Sequence, residues 1–82
     1  MEYSESVRRF VVENFIFGDG SGLEEGTSFL DSGIIDSTGI LELVTYLEEA
    51  FEVTVEDDEI VPENLGSIAN IASYLKRKRN GN

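Results

Sequence analysis

With 82 residues and neither cysteine nor histidine, the chain permits one small domain that no disulfide or Cys/His zinc site can staple. The same omissions remove the usual general base, thiolate nucleophile and soft metal ligands, so neither catalytic residues nor a metal site are expected. A formal net charge of −11, with no Lys or Arg between Phe10 and Leu75, repels nucleic-acid phosphate and anionic membranes and favours encounter with basic proteins.

The opening MEYSESVRRF has no apolar run, and no stretch is long enough to cross a bilayer. A cytoplasmic monomer is therefore expected, one domain over residues 1–82 with an ordered core of about 3–77. Tyr3, Val7, Phe10 and Val11 recur at helical spacing, with Phe15 at the margin, which predicts a first amphipathic helix over 4–16 capped by Ser4 or Ser6. Residues 18–36 are rich in glycine, serine and acid and read as a long loop, which Phe29, Leu30, Ile34 and Ile35 pin onto the core. Within it, Asp19-Gly20-Ser21-Gly22 invites comparison with a calcium loop. Counting from Asp19 places Leu23 at position five and Leu30 at twelve, where oxygen ligands are required, so the register fails.

A second helix is predicted from Ser37 to Phe51 with Asp36 as its N-cap. Ile40, Leu43, Val44, Leu47 and Phe51 form its inner side; Thr38, Glu42, Thr45, Glu49 and Glu52 lie opposite, with Leu41 and Glu48 at the margin. Val53-Thr54-Val55 is β-prone but short. Residues 56–61 suggest a brief helical turn ended by Pro62, whose acids are read as solvated. A last helix over 66–78 turns Ile68, Ile71, Ala72 and Leu75 inward, and its Lys76–Arg79 cluster complements the negative end of the helix dipole. The expected fold is all-α: a small four-helix bundle of three main helices plus one short one, with a long loop between helices one and two.

The distinctive segment is Leu30-Asp31-Ser32-Gly33-Ile34-Ile35-Asp36-Ser37-Thr38-Gly39-Ile40-Leu41-Glu42-Leu43-Val44. A serine in the first turn of a helix is solvent-facing and close to free backbone N–H groups, a site that tolerates a phosphodiester anion. Of the two Asp-Ser pairs, only the second is followed at once by an amphipathic helical run, which selects Ser37 over Ser32. The plain alternative is a helix-capping pair with no further role.

This segment resembles the acyl and peptidyl carrier protein family, whose attachment motif is an Asp-Ser opening a helix that continues apolar-Glu-Leu. Leu47-Glu48-Glu49-Ala50-Phe51 and Asn64-Leu65-Gly66-Ser67-Ile68 extend the likeness over most of 27–75. The resemblance implies a 4'-phosphopantetheine arm, donated by coenzyme A, on Ser37, with Asp36 as part of the motif. It also implies a partner-docking face of Thr38, Leu41, Glu42, Thr45, Glu48 and Glu49. The implied partners are a phosphopantetheinyl transferase, an adenylate-forming ligase or acyltransferase that charges the thiol, and downstream biosynthetic enzymes. Thr38 and Gly39 depart from the Leu-acid pair typical of fatty-acid carriers. Ile-Ile-Asp-Ser-x-Gly looks more like D-alanyl and specialised-pathway carriers. The rival reading is an unmodified acidic helical adaptor that docks a basic partner.

Overall fold

The computed structural model describes residues 3–16 and 23–79. Three long helical elements carry the fold: α1 (Tyr3–Val11), extended by a π turn over Val12–Ile16, α3 (Ser37–Phe51) and α5 (Ile68–Arg79). Two single-turn helices, α2 (Phe29–Ser32) and α4 (Pro62–Leu65), lie between them, with a 3₁₀ turn at Asp57–Glu59. The all-α bundle is as expected, with two short helices where the sequence suggested one. Ser4 and Ser6 sit inside α1 rather than capping it.

Each long helix contributes one apolar stripe, because only residues three and four apart share a face. Val7 and Val11 of α1, Leu43 and Leu47 of α3, and Ile68, Ile71 and Leu75 of α5 are fully buried. Each such side chain contributes on the order of 1.5–3 kcal/mol relative to exposure. α1 packs along α5, and α4 packs against the same helix. Tyr74, which the α5 pattern did not single out, is only 2% exposed. A string of aromatic rings joins α1 to α3. Tyr3 meets Phe51 edge-on, Phe51 meets Tyr46 edge-on, and Tyr46 stacks on Phe10 at 4.1 Å between centroids.

The connection between α1 and α3 is strapped down along its described part. Arg8 Nη1 donates to the Leu23 carbonyl at 2.7 Å, and the Ala69 N–H donates to the Glu25 carbonyl at 2.8 Å. The Phe29 N–H donates to the Gly66 carbonyl at 2.9 Å. Phe29 and Ile35 are buried and Ile34 is half-buried, as an anchored loop requires, but Leu30 remains 47% exposed. Helix α2 stands inside the segment whose composition predicts a loop. Its signal was Ser28, whose hydroxyl accepts the Asp31 N–H at 3.2 Å, together with Gly33, which closes the turn at φ 79°. The calcium-loop comparison falls largely on residues outside the described ones.

Beyond α3 the structure differs from the expected pattern at Pro62 and Glu59. Pro62 does not end the turn at 57–59; it stands at the first position of α4, where its missing N–H costs nothing. Glu59 is not merely solvated. Its carboxylate accepts the Tyr74 hydroxyl at 2.8 Å, Lys78 Nζ at 3.0 and 3.2 Å, and the Glu56 N–H at 3.0 Å. The Glu56 N–H, then Tyr74, then Lys78 hold the Glu59 carboxyl down at about 2. The C-terminal basic cluster is likewise engaged: Arg77 donates to Asn64 Oδ1 at 2.9 Å, and Arg79 donates to the Phe51 carbonyl at the end of α3. Those contacts tie the end of α5 to α3 and to the 57–65 segment.

Candidate functional site

Ser37 is the first residue of α3 and is exposed. Asp36 has extended backbone, φ −95° and ψ −175°, and its Oδ1 accepts the Gly39 N–H at 2.8 Å. Its carbonyl accepts the Ile40 N–H at 3.0 Å, so the helix begins where the sequence placed it. The capping carboxylate is thereby turned toward the third residue of α3. The exposed serine stands beside it, at the positive end of a 15-residue helix. An esterified phosphate at that oxygen meets the field and N–H groups that helix starts offer anions. The residues present fit a phosphopantetheine arm.

Ser32 occupies the opposite kind of position. It is the last residue of the one-turn α2, and its hydroxyl donates back to the Phe29 carbonyl at 3.3 Å. There the backbone presents carbonyl oxygens, the negative end of the local dipole. The two Asp-Ser pairs, alike in sequence, thus stand at opposite ends of helices.

Of the other residues singled out, Thr38, Leu41, Glu42, Thr45 and Glu49 share the exposed side of α3. Leu41 is 59% exposed, and with Leu30 it is one of two large exposed apolar side chains among the described residues. The Thr45 hydroxyl donates to the Leu41 carbonyl at 3.1 Å. Glu48 is placed differently: it is half-buried, and its Oε2 accepts the Val55 N–H at 3.0 Å, fastening the chain that leaves α3. One turn inward from Ser37, Ile40 lines a small, shallow apolar groove with Leu30, Ile60, Val61, Pro62 and Leu65. Sequence periodicity placed Ile40 on the inner side, but the walls come from segments distant in the chain.

Gly39 is buried, and a Cβ there would stand 2.8 Å from both Phe15 Cε1 and Ile35 Cγ2. What looks in sequence like a weak helix former close to the cap is required by close packing of the first turn. Among the described residues no group of three or more Asp or Glu side chains gathers to hold a metal, and no helix is long and apolar enough to cross a membrane.

The profile of the phosphopantetheine attachment site family matches residues 16–75. The acyl carrier protein of Zymomonas mobilis is 35% identical over 72 residues, covering 88% of each chain. That of Exiguobacterium sibiricum is 43% identical over 49 residues, 60% of each chain. Among solved structures, the holo acyl carrier protein of Nitrosomonas europaea superposes with a TM-score of 0.80 at 26% identity, covering 98% of this chain and 99% of its own. This argues against an unrelated acidic adaptor. Taken with a capped helix that starts on an exposed serine, the match places the chain in the phosphopantetheine-attachment family of acyl carrier proteins, carriers rather than enzymes, with a covalent 4'-phosphopantetheine arm as cofactor.

Proposed function

We propose that Ser37 Oγ is the attachment point, and that the chain holds acyl or aminoacyl groups there as thioesters and delivers them to partner enzymes. The observation that carries this reading is the exposed serine at the first position of α3, with the neighbouring carboxylate committed to the Gly39 N–H. When bound, the arm supplies the thiol that a cysteine-free chain lacks. The chain's own part is to bind and to present. Ser37 gives up its hydroxyl proton to a base on the transferase and its oxygen bonds to the phosphopantetheinyl phosphorus of coenzyme A, as the pyrophosphate P–O bond breaks and adenosine 3',5'-bisphosphate leaves. The start of α3 then faces the resulting anion with its positive end. Thr38, Leu41, Glu42, Thr45 and Glu49 offer partners one apolar contact within an acidic and hydroxylic strip, which steers basic surfaces toward the serine. Glu48 adds its charge from the edge of that strip.

For the cargo, Thr38 and Gly39 in place of a Leu-acid pair favour an amino acid or unusual acid, loaded by an adenylate-forming ligase in a specialised cytoplasmic pathway. Thioesters trapped from cells and identified by mass test that choice; a saturated fatty acyl chain on the arm would refute it. The attachment itself is tested by intact mass after incubation with coenzyme A and a broad-specificity phosphopantetheinyl transferase. A gain of one phosphopantetheine, lost in Ser37→Ala and kept in Ser32→Ala, is expected. No gain, or a gain that survives Ser37→Ala, would refute it.

A further inference from the structure

The first turn of α3 is braced from behind by the end of α1. Ser37 and Thr38 are exposed, but Gly39 is buried, and the space a side chain would take there is filled by the Phe15 ring and an Ile35 methyl. Phe15 reaches that position from the π turn. There its ring meets that of Phe10, from the last turn of α1, edge-on at 5.9 Å between centroids. Asn14 Nδ2 secures the turn by donating to the Phe10 carbonyl at 2.9 Å. Phe10 in turn stacks on Tyr46, further along α3. Two rings from the end of α1 therefore hold α3 at two points, and the nearer one bears on the turn that presents the serine.

We infer that Phe15 is a positioning residue for modification of Ser37. Its ring fixes the first turn of α3 through Gly39 and so sets where the serine oxygen stands when a transferase engages it. This rests on Ser37 being the attachment point. The ring closes the inner side of the residue whose N–H receives the Asp36 cap. Without it, the inner side of that turn loses one of the two side chains that pack on Gly39 and keeps the Asp36 cap, the Ile40 N–H bond to the Asp36 carbonyl and the Ile35 contact. A nucleophile displaced by about 1 Å loses up to about 100-fold in rate, and partial loosening costs correspondingly less.

The test compares Phe15→Ala and Phe15→Leu with Val7→Ala, a truncation at a fully buried α1 position remote in sequence from the serine. For each, kcat and KM of phosphopantetheine transfer are measured well below the melting temperature, together with hydrogen exchange of the amides from Ser37 to Ile40. Phe15→Ala is expected to lower kcat about 10-fold with faster first-turn exchange, and Phe15→Leu to keep kcat within about threefold. Val7→Ala is expected to transfer at the wild-type kcat despite a loss in Tm. Should Phe15→Ala not fold, Gly39→Ala drives a methyl against the same ring and is expected to lower kcat similarly. Wild-type kcat in Phe15→Ala or Gly39→Ala, or rates that merely follow Tm across all variants, would overturn the inference. Failure of the serine assignment is separately visible, as wild-type protein that gains no mass or Ser37→Ala that still does.

Discussion

Replacing Tyr74 with phenylalanine removes one oxygen from a packed site and leaves the ring. That oxygen donates to Glu59 Oε1 at 2.8 Å, from a residue only 2% exposed. A hydrogen bond to a charged acceptor is worth about 1.5–3 kcal/mol. Here the carboxylate keeps Lys78 and the Glu56 N–H and is 28% exposed, so the loss falls at or just below that range, about 1–1.5 kcal/mol. In a domain of 82 residues this corresponds to roughly 5–10 °C in Tm. The pH dependence is more diagnostic. Glu59 is held at about 2 when folded, below its ordinary 4.5, so its contribution is complete above 4.5 and lost as pH falls toward 2. Burial, then the bond to Glu59, pushes the Tyr74 phenol above its ordinary 10.0, so that contribution is complete below 10 and declines above it. The difference between wild type and Tyr74→Phe should therefore be greatest on a plateau between about pH 5 and 9 and shrink on both sides. Urea unfolding followed by far-UV circular dichroism at stepped pH measures it. Equal midpoints at pH 7, or a difference unchanged at pH 2, would refute the reasoning.

Other residues give shorter tests. Glu52 ends α3 in the left-handed region, φ 56° and ψ 47°, so Glu52→Gly should stabilise by about 0.5–1 kcal/mol in the same urea experiment. Gly66→Ala should destabilise by about 1–3 kcal/mol, because its Cβ would stand 2.5 Å from the Pro62 carbonyl oxygen; an unshifted midpoint contradicts that packing. Asp36→Ala should cost about 1 kcal/mol through loss of the cap and Asp36→Asn only a few tenths, both read from Tm.

The long helices and their inner faces were legible because apolar residues three and four apart leave few alternatives: Leu43, Leu47, Ile71 and Leu75 are buried as their spacing requires. The start of α3 was equally clear, since Asp36 is a strong cap followed by an uninterrupted amphipathic run. What escaped depends on partners distant in sequence. The role of Glu59 needs Tyr74 and Lys78, 15 and 19 residues away, and an acid in an acidic stretch carries no local sign of that pairing. Gly39 read as a helix weakness because Phe15, which occupies the space of its missing side chain, belongs to another helix. Helix α2 was hidden by its brevity. One turn between a serine cap and a left-handed glycine gives no periodicity to count.

The most direct measurement locates the arm on the chain. Trypsin cannot, because no Lys or Arg lies between Phe10 and Leu75 and both Asp-Ser pairs fall in one peptide. Cleavage before aspartate divides them, leaving Ser32 in the peptide 31–35 and Ser37 in the peptide 36–56, where it is the sole serine. Tandem mass spectrometry of the modified protein should find phosphopantetheine on 36–56, fragmenting to Ser37. The same mass on 31–35 would contradict the account.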